Sequence, residues 1–328
     1  MSEYREIQGA AVQSLASNTG TIEGQIWYDN VNGVFKLESA ASVSAWASGG
    51  ALPTATNAMG SFGSQTAALA FNGEIPGAGG NTTQQSLSYD GTSWTATNPT
   101  GPLTTGGQGA RGAGTLGAGI ASSYSGGGGT PAGYTDVKEW DGTNWSAGTS
   151  HTNRCTFAQM ASAGTQTSTA IFGGTSESDP SPRVNTEEWD GATWTNGGNL
   201  NTGRGNAGGS GTLTSAICVG ADTSPFALVE EYDGTSWTTA TAYPSAPSSG
   251  MRSTGLTQDA TLAWHLGTAA TWNGSAWTTQ SGLATPRTTA GGAGSFTVGL
   301  AMGGIANTTA TEEWTGAGTP LTETITTT

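Results

Sequence analysis

Apolar and polar residues alternate in short runs along most of the chain, and Gly-rich turns separate the runs. The segment after Trp145 shows the pattern, with strand-like runs at 153–160, 168–172, 185–189 and 193–195. Alternation with a period of two is typical of a strand that buries one face. Four such strands joined by tight turns make one blade of a β-propeller, so the pattern predicts an all-β repeat protein.

One cassette sets the period of the repeat. It consists of an aromatic residue, an Asp-Gly or Asn-Gly turn, and a Trp shortly after the turn; the last copy has lost that Trp. Asp-Gly or Asn-Gly between apolar runs is a strong signal for a tight hairpin. The first aromatics are Tyr89, Trp140, Trp189, Tyr232, Trp272 and Trp314, and the second positions are Trp46, Trp94, Trp145, Trp194, Trp237 and Trp277.

The number of strands predicts how the array closes. Six segments supply the first three strands of a blade, and six Trp positions mark a fourth strand, counting the lone Trp46. The numbers agree only if the last blade, 284–314, takes its fourth strand from 42–47, which leaves no open sheet edge. We therefore predict a six-bladed β-propeller over 42–319, an N-terminal docking arm with a β-hairpin over 1–41, and a C-terminal tail over 320–328.

The repeated residues are interpreted as scaffold. A row of exposed Trp could stack on sugars, but strict periodicity favours packing between neighbouring blades. An Arg after a cassette Trp and a Glu before the next cassette aromatic are expected to pair, because a partly buried guanidinium needs a carboxylate. The charged scaffold set is Arg154, Arg204, Arg287, Glu188, Glu231 and Glu313, with Glu139 as a further copy and Arg111 and Arg252 as shifted copies.

Composition and charge exclude some classes of function. The chain has 328 residues with 54 Gly, only 10% charged residues and a net charge of −14. A protein that binds nucleic acid needs a basic face, so we expect no nucleic-acid partner. No apolar run is long enough to span a membrane, and Met1–Glu6 lacks the apolar core of a signal peptide. We therefore expect synthesis in a host cytoplasm and no membrane insertion.

No catalytic or metal-binding constellation is visible in the sequence. His151 and His265 are the only His residues and lie outside any metal-spacing motif. Glu187 and Glu188 are adjacent in a predicted strand, so they face opposite sides and cannot act as one acid–base pair. We expect no cofactor, no metal and no enzyme activity, although a glycosidase built from carboxylates of several blades stays open. Cys155 and Cys218 are expected to be free, buried thiols.

The loops between the second and third strands of each blade vary widely in length and composition, whereas the cassette turns are uniform. Variable loops on a repeated scaffold are the usual place for recognition, and Tyr and Arg are common binding anchors. The candidate ligand-binding residues are therefore Tyr124, Tyr134, Asp179, Arg183 and Phe226.

The repeat as a set resembles kelch repeats. The resemblance rests on a strand that ends in Gly-Gly (Gly173-Gly174, Gly303-Gly304), a Glu-Glu-aromatic strand, the Trp after the turn, and Thr285-Pro286-Arg287. Asn72-Gly73, Gly220-Ala221 and Leu266-Gly267 replace the double Gly in other blades. The resemblance implies a β-propeller over 42–319.

The arm resembles leader segments of bacteriophage tail-fibre proteins, on the stretches 24–29 and 33–36. The resemblance implies a virion surface protein that docks through Trp27, Tyr28 and Phe35. Its partners would be other tail or capsid proteins and a host-surface glycan or protein, with a copy number set by virion symmetry. A stand-alone lectin-like propeller and a carbohydrate-active enzyme remain the alternatives.

Overall fold

The computed structural model contains two compact units, 1–44 with 315–328 and 45–314. It describes residues 13–15, 26–31, 34–38, 44–77, 82–97, 99, 103, 107–122, 125–126, 135–152, 156–175, 182–247, 250–305, 308–316 and 322–324. No helix among these residues is long and apolar enough to cross a membrane.

The larger unit is a β-propeller of six four-stranded blades, so the predicted fold class is confirmed. The strands are lettered A to D from the inside outwards, and in blades 1 to 5 they are paired in sequence order. Blade 1 is Gly60–Ser64, Ala67–Phe71, Ser86–Tyr89 and Trp94–Ala96; blade 2 is Arg111–Thr115, Ala118–Ser122, Val137–Trp140 and Trp145–Ala147; blade 3 is Thr156–Thr165, Ser168–Thr175, Thr186–Trp189 and Trp194–Asn196. Blade 4 is Gly208–Thr212, Ser215–Val219, Val229–Tyr232 and Trp237–Thr239; blade 5 is Arg252–Thr257, Ala260–His265, Thr268–Trp272 and Trp277–Gln280.

Blade 6 closes the ring in the predicted way. Its strands A to C are Gly291–Gly294, Val298–Met302 and Thr311–Thr315, and its strand D is Ala45–Ser48 from the beginning of the array. Strand A of blade 6 contacts strand A of blade 1, so the six innermost strands form a continuous circle. Outside the blades, Gly107–Gln108 pairs with Ser125–Gly126.

The innermost strands consist largely of Gly, Ala and Ser because six of them converge. A Cβ on Gly209 would lie 2.7 Å from the backbone N of Ser162, and one on Gly112 would lie 2.9 Å from the carbonyl O of Ser61. The need for small residues explains one error of the prediction from sequence. Strand A of blade 3 continues to Thr165, whereas the prediction ended it at 160. Small residues there resemble a loop in sequence.

The cassette Trp residues lie between blades. Trp145 Nε1 donates to Ser86 Oγ at 3.0 Å in the preceding blade, and Trp237 Nε1 donates to Thr186 Oγ1 at 2.9 Å. At the closing seam, Trp94 Nε1 donates to Thr311 Oγ1 at 2.9 Å. A large flat side chain thus fills each wedge, and its single donor is satisfied at five of the six positions, Trp46 being the exception.

The cassette turn is stabilised by its own Asp. Asp190 Oδ1 accepts hydrogen bonds from the backbone N of Ala192 at 2.8 Å and of Thr193 at 2.7 Å. Gly191 has φ of +93°, a conformation that disfavours other residues. The two donated hydrogen bonds hold the pKa of Asp190 below its usual value. The same bonds and pKa direction recur at Asp90, Asp141 and Asp233, and Asn273 makes the same bonds in blade 5.

The smaller unit is a four-stranded sheet. Ile26–Asp29 and Val34–Glu38 form the predicted antiparallel hairpin, and Gln13–Leu15 adds to it in parallel. Thr322–Thr324 pairs antiparallel with Val34–Glu38, so part of the segment that the sequence assigned to a separate tail completes the arm sheet. A short Thr-rich run carries too weak a pattern to predict that pairing.

Candidate functional site on the irregular face

The two faces of the propeller differ. Antiparallel pairing puts the A–B and C–D turns on one face, and the B–C loops and the D–A links between blades on the other. The C–D turns share one hydrogen-bond pattern, whereas the B–C connections range from the two residues 266–267 in blade 5 to the fourteen residues 72–85 in blade 1 and 123–136 in blade 2. We call the second side the irregular face.

Two of the five predicted ligand-binding residues lie in the described part of the irregular face. Arg183 is half-buried; its backbone N donates to Gly174 O at 2.8 Å, and its carbonyl accepts from Arg204 N at 3.1 Å. Phe226 is also half-buried, and its carbonyl accepts from Ala221 N at 3.1 Å. They belong to adjacent blades. Tyr124, Tyr134 and Asp179 lie outside the described residues.

An exposed apolar pair on the irregular face was not predicted. Leu266 is 45% exposed and Ile305 is 54% exposed. Leu266 forms a β-bridge with Arg287, and Ile305 forms one with Thr288, the next residue of the D–A link. The two residues therefore pair with neighbouring positions of one link and belong to adjacent blades. The signal in the sequence was an apolar residue where the repeat has Gly, at a position that we treated only as a departure.

Leu266 also has a strained backbone. Its φ of +51° corresponds to +70° at Gly173, +56° at Gly303 and +55° at Asn72, which occupy the equivalent position in the repeat, at or just beyond the end of strand B. Gly and Asn tolerate this left-handed region, whereas the backbone of a branched aliphatic residue is strained in it. An exposed Leu in a Gly position is unexplained by the blade itself, and strained positions cluster at functional sites.

The predicted Arg–Glu pairing needs one correction. Arg204 contacts Glu230, one residue before the predicted Glu231, and Arg287 Nη1 lies 2.5 Å from Oε1 of Glu312, one residue before Glu313. All four partners are buried. Alternation along strand C directs the first carboxylate inwards, where it reaches the Arg of its own blade.

The buried carboxylate also holds the D–A link beneath the irregular face. Glu230 accepts from the backbone N of Asn201 at 2.8 Å and of Thr202 at 3.3 Å. Glu312 accepts from Ala284 N at 2.7 Å in the same way. In blade 3, Thr152 N donates to Glu187 at 2.9 Å; Arg154 lies outside the described residues. These contacts fix the links from which the irregular face is built.

In blades 3, 4 and 6 the second Glu of strand C binds the next blade instead. Tyr232 Oη donates to Glu188, Trp272 Nε1 donates to Glu231 at 2.7 Å, and Tyr89 Oη donates to Glu313 at 2.5 Å across the closing seam. Burial and the neighbouring carboxylate raise the pKa of Tyr89, like that of Tyr232, to about 12. Burial also raises the pKa of Glu231.

Arg111 and Arg252 do not belong to this set. They are the first residues of strand A in blades 2 and 5, and they line the central channel. We treated them as shifted copies because they follow a cassette Trp at a greater distance than the other Arg residues do. In the sequence, an Arg at the start of strand A looks the same as an Arg in a longer D–A link.

Among the described residues, no group of three or more His, Cys, Asp and Glu is placed to hold a metal ion. Cys218 is a free thiol, and burial raises its pKa to about 11. No protein-family model matches the chain, and no curated protein matches it. The molecule is a β-propeller. Because this fold serves many unrelated functions, its function must be argued from the surfaces described above.

Proposed function

We propose that the protein is a non-enzymatic bacteriophage virion surface protein with a kelch-type propeller. In this proposal the arm unit docks to other virion proteins, and the irregular face binds a host receptor or a neighbouring protein. The observation that carries the proposal is the division into two compact units, each of which has exposed apolar residues on a polar chain. The phage assignment rests on the likeness of the arm sequence to tail-fibre leaders.

The arm hairpin supports docking. Tyr28 and Phe35 are cross-strand partners whose ring centroids lie 5.2 Å apart. Phe35 is 48% exposed, and Val31 in the hairpin turn is 69% exposed. Aromatic residues exposed on one face of a hairpin suit a protein–protein contact. Trp27 lies on the neighbouring strand position, and its side chain is outside the described residues.

The irregular face supports recognition. Its links are fixed by buried carboxylates, and it exposes Leu266 and Ile305 together. A rigid frame with a small apolar patch lowers the entropy lost on binding. The kelch assignment draws on the same frame: a Gly-Gly pair near the end of strand B (Gly173-Gly174, Gly303-Gly304), carboxylate pairs in strand C, and a Trp after the turn.

A deletion experiment tests the docking role. A chain lacking 1–43 and 317–328 retains the closing strand Ala45–Ser48, so the propeller should keep its melting temperature within a few degrees. Incorporation of this chain into particles should be lost, as scored by immunoblotting of purified virions. Phe35→Ser in the full chain is the milder companion. Normal incorporation of a folded deletion variant would refute docking through the arm.

Charge substitutions test the recognition role. Leu266→Asp and Ile305→Asp should abolish binding of labelled protein to host cells. Leu256→Asp is the matched control, because Leu256 is 69% exposed but lies beside an A–B turn on the opposite face. Equal binding by all three variants would exclude the irregular face. Glycan-array binding lost on changing Tyr124 or Tyr134 would favour the lectin reading, and sugar release from host polysaccharide would favour an enzyme.

A further inference from the structure

The centre of the ring is a channel with two sections. The narrow section, of about 50 Å³, is lined by Gly and Ser residues of strands A together with Arg111 and Arg252. The wide section, of about 190 Å³, continues from it along the six strands A toward the A–B turns. Because both Arg residues begin their strands, they lie at the end of the channel nearest the irregular face.

The two Arg residues come from opposite sides of the ring. Blades 2 and 5 are three places apart in a ring of six, so their innermost strands lie on opposite sides of the channel. Arg252 is 8% exposed and is held by backbone carbonyls: Nε donates to Ala290 O at 2.6 Å, next to strand A of blade 6, and Nη1 donates to Met251 O at 2.8 Å. Arg111 Nη1 lies 3.5 Å from Ala110 O. Both guanidinium groups are thus fixed at the channel wall.

The rest of the described lining is neutral. Neither section contains an Asp or a Glu among its described residues. Ser61 and Ser162 donate to backbone carbonyls of neighbouring blades, Gly292 and Gly112. Ser253 Oγ is buried in the channel wall beside Arg252 and has no hydrogen-bond partner among the described residues. The narrow section that is lined by the two Arg residues therefore also contains a hydroxyl donor.

Electrostatics at this point favour a negative guest. Burial lowers the pKa of Arg111 to about 10, and burial together with repulsion from Arg111 lowers the pKa of Arg252. A buried guanidinium that is repelled by a second, half-buried one is costly, and a bound anion reduces that cost. This region carries positive charge although the net charge of the chain is −14, so the sign of the local charge is opposite to that of the whole molecule.

We propose that the narrow section of the channel binds a small oxyanion, a carboxylate, phosphate or sulfate group, held between the guanidinium groups of Arg111 and Arg252 with Ser253 as a further donor. A guanidinium fork matches such groups with two parallel hydrogen bonds. A volume of this size holds a few water molecules, which is the space that one small oxyanion needs. The site goes beyond the proposed virion role and does not depend on it.

The primary test uses the full chain and simple salts. Sodium phosphate, sulfate and acetate are titrated in thermal-shift experiments against sodium chloride at matched ionic strength. A ligand of the folded state raises the melting temperature in a saturable manner. We expect such a rise of a few degrees for at least one oxyanion, and none for chloride. No saturable rise with any of the three would overturn the proposal.

Variants locate the site. Arg111→Gln and Arg252→Gln should each abolish the rise, and since each removes one of two repelling charges, both variants should fold. Lys138→Gln, with the same charge change on strand C of blade 2, should respond like the parent chain. Ser253→Ala should raise the dissociation constant roughly fivefold, which is the effect of one lost hydrogen bond. Isothermal titration of the parent chain with the active salt provides a readout that is independent of melting; an equal affinity in Arg252→Gln would place the anion elsewhere.

Discussion

Two neighbouring carboxylates on strand C have separate roles because side chains alternate along a strand. Glu230 points into its own blade, where Arg204 and two backbone N–H groups satisfy it. Glu231 points toward the next blade and accepts from Trp272. One residue thus stabilises a blade, and the next joins two blades.

Substitutions at this pair should differ in their effect. Glu230→Gln and Arg204→Ala each leave a buried group without its partner, so each should reduce the free energy of unfolding by about 3 kcal/mol or more. Glu231→Gln retains an acceptor for Trp272 and should cost about 1 kcal/mol. Scanning calorimetry measures the three changes. Equal losses at Glu230 and Glu231 would contradict the division of roles.

Replacing Leu266 should increase the stability of the fold. Leu266→Gly relieves a left-handed backbone and should stabilise the protein by about 1 kcal/mol, while binding to host cells falls. Asn72→Gly is the matched control, because Asn already tolerates a φ of +55° and should change little. Destabilisation by Leu266→Gly would show that the side chain is needed for folding.

Residue roles were only partly predictable from sequence. In the blades that contain Arg204 and Arg287, strand C has two adjacent Glu residues, of which Glu230 and Glu312 come first. Blade 1 lacks the Arg, and Leu87 occupies the position that corresponds to Glu230. That correlation identifies the buried partner, but we used the Glu next to the aromatic because it recurs more often. Which side of a strand faces the core is a property of register, and register requires the neighbouring strands.

At the scale of elements, the C–D turn is the most regular part of the molecule. Each turn places one Asp or Asn oxygen against two backbone N–H groups, as Asp190 and Asn273 show. An anionic acceptor makes the stronger hydrogen bonds, so the four Asp turns depend on ionisation and the Asn turn does not.

Acid should therefore weaken four turns together. A carboxyl whose pKa is lowered in the folded state contributes stability that is complete above its unfolded pKa and lost as the pH falls through the folded value. Replacing Asp90, Asp141, Asp190 and Asp233 by Asn should reduce the fall in melting temperature between about pH 6 and about pH 2.5. Circular dichroism melts of both proteins measure this fall in melting temperature. An equal fall in the two proteins would show that the turns do not cause the loss of stability in acid.

Sequence predicted most elements because strands B, C and D carry alternation and turn residues. Strand A was harder, since its small residues serve the close approach of Gly209 to Ser162 rather than a local preference. The added arm strand Thr322–Thr324 is a long-range pairing without a local signal. The irregular face was located correctly as a set of loops, but its exposed pair, Leu266 and Ile305, emerged only from burial.

At the scale of the whole molecule, one short strand holds the ring together. Ala45–Ser48 supplies the outer strand of blade 6, and Trp46 packs against Trp264 and Trp314 with ring centroids 5.6 and 5.5 Å apart. Gln65 Nε2 adds a hydrogen bond to Trp314 O at 2.8 Å across the seam. The seam therefore joins segments from opposite ends of the repeat array.

Removing that strand should open the ring. A chain lacking 1–48 should melt well below a chain lacking only 1–43 and should self-associate, because strand C of blade 6 becomes an unpaired edge. Size-exclusion chromatography with light scattering distinguishes the two. A monomeric, equally stable 1–48 deletion would show that the exchange is dispensable.

The exchanged strand also orders events during synthesis. Ala45–Ser48 is made before any complete blade, yet its partner Thr311–Thr315 is among the last repeat residues to be made. The nascent chain therefore carries a solitary strand with an unburied Trp46 until translation of the array ends, and closure pays the entropy of a very long loop. A circular permutant with Ala45–Ser48 moved behind Thr315 would turn this step into a local hairpin and would refold faster.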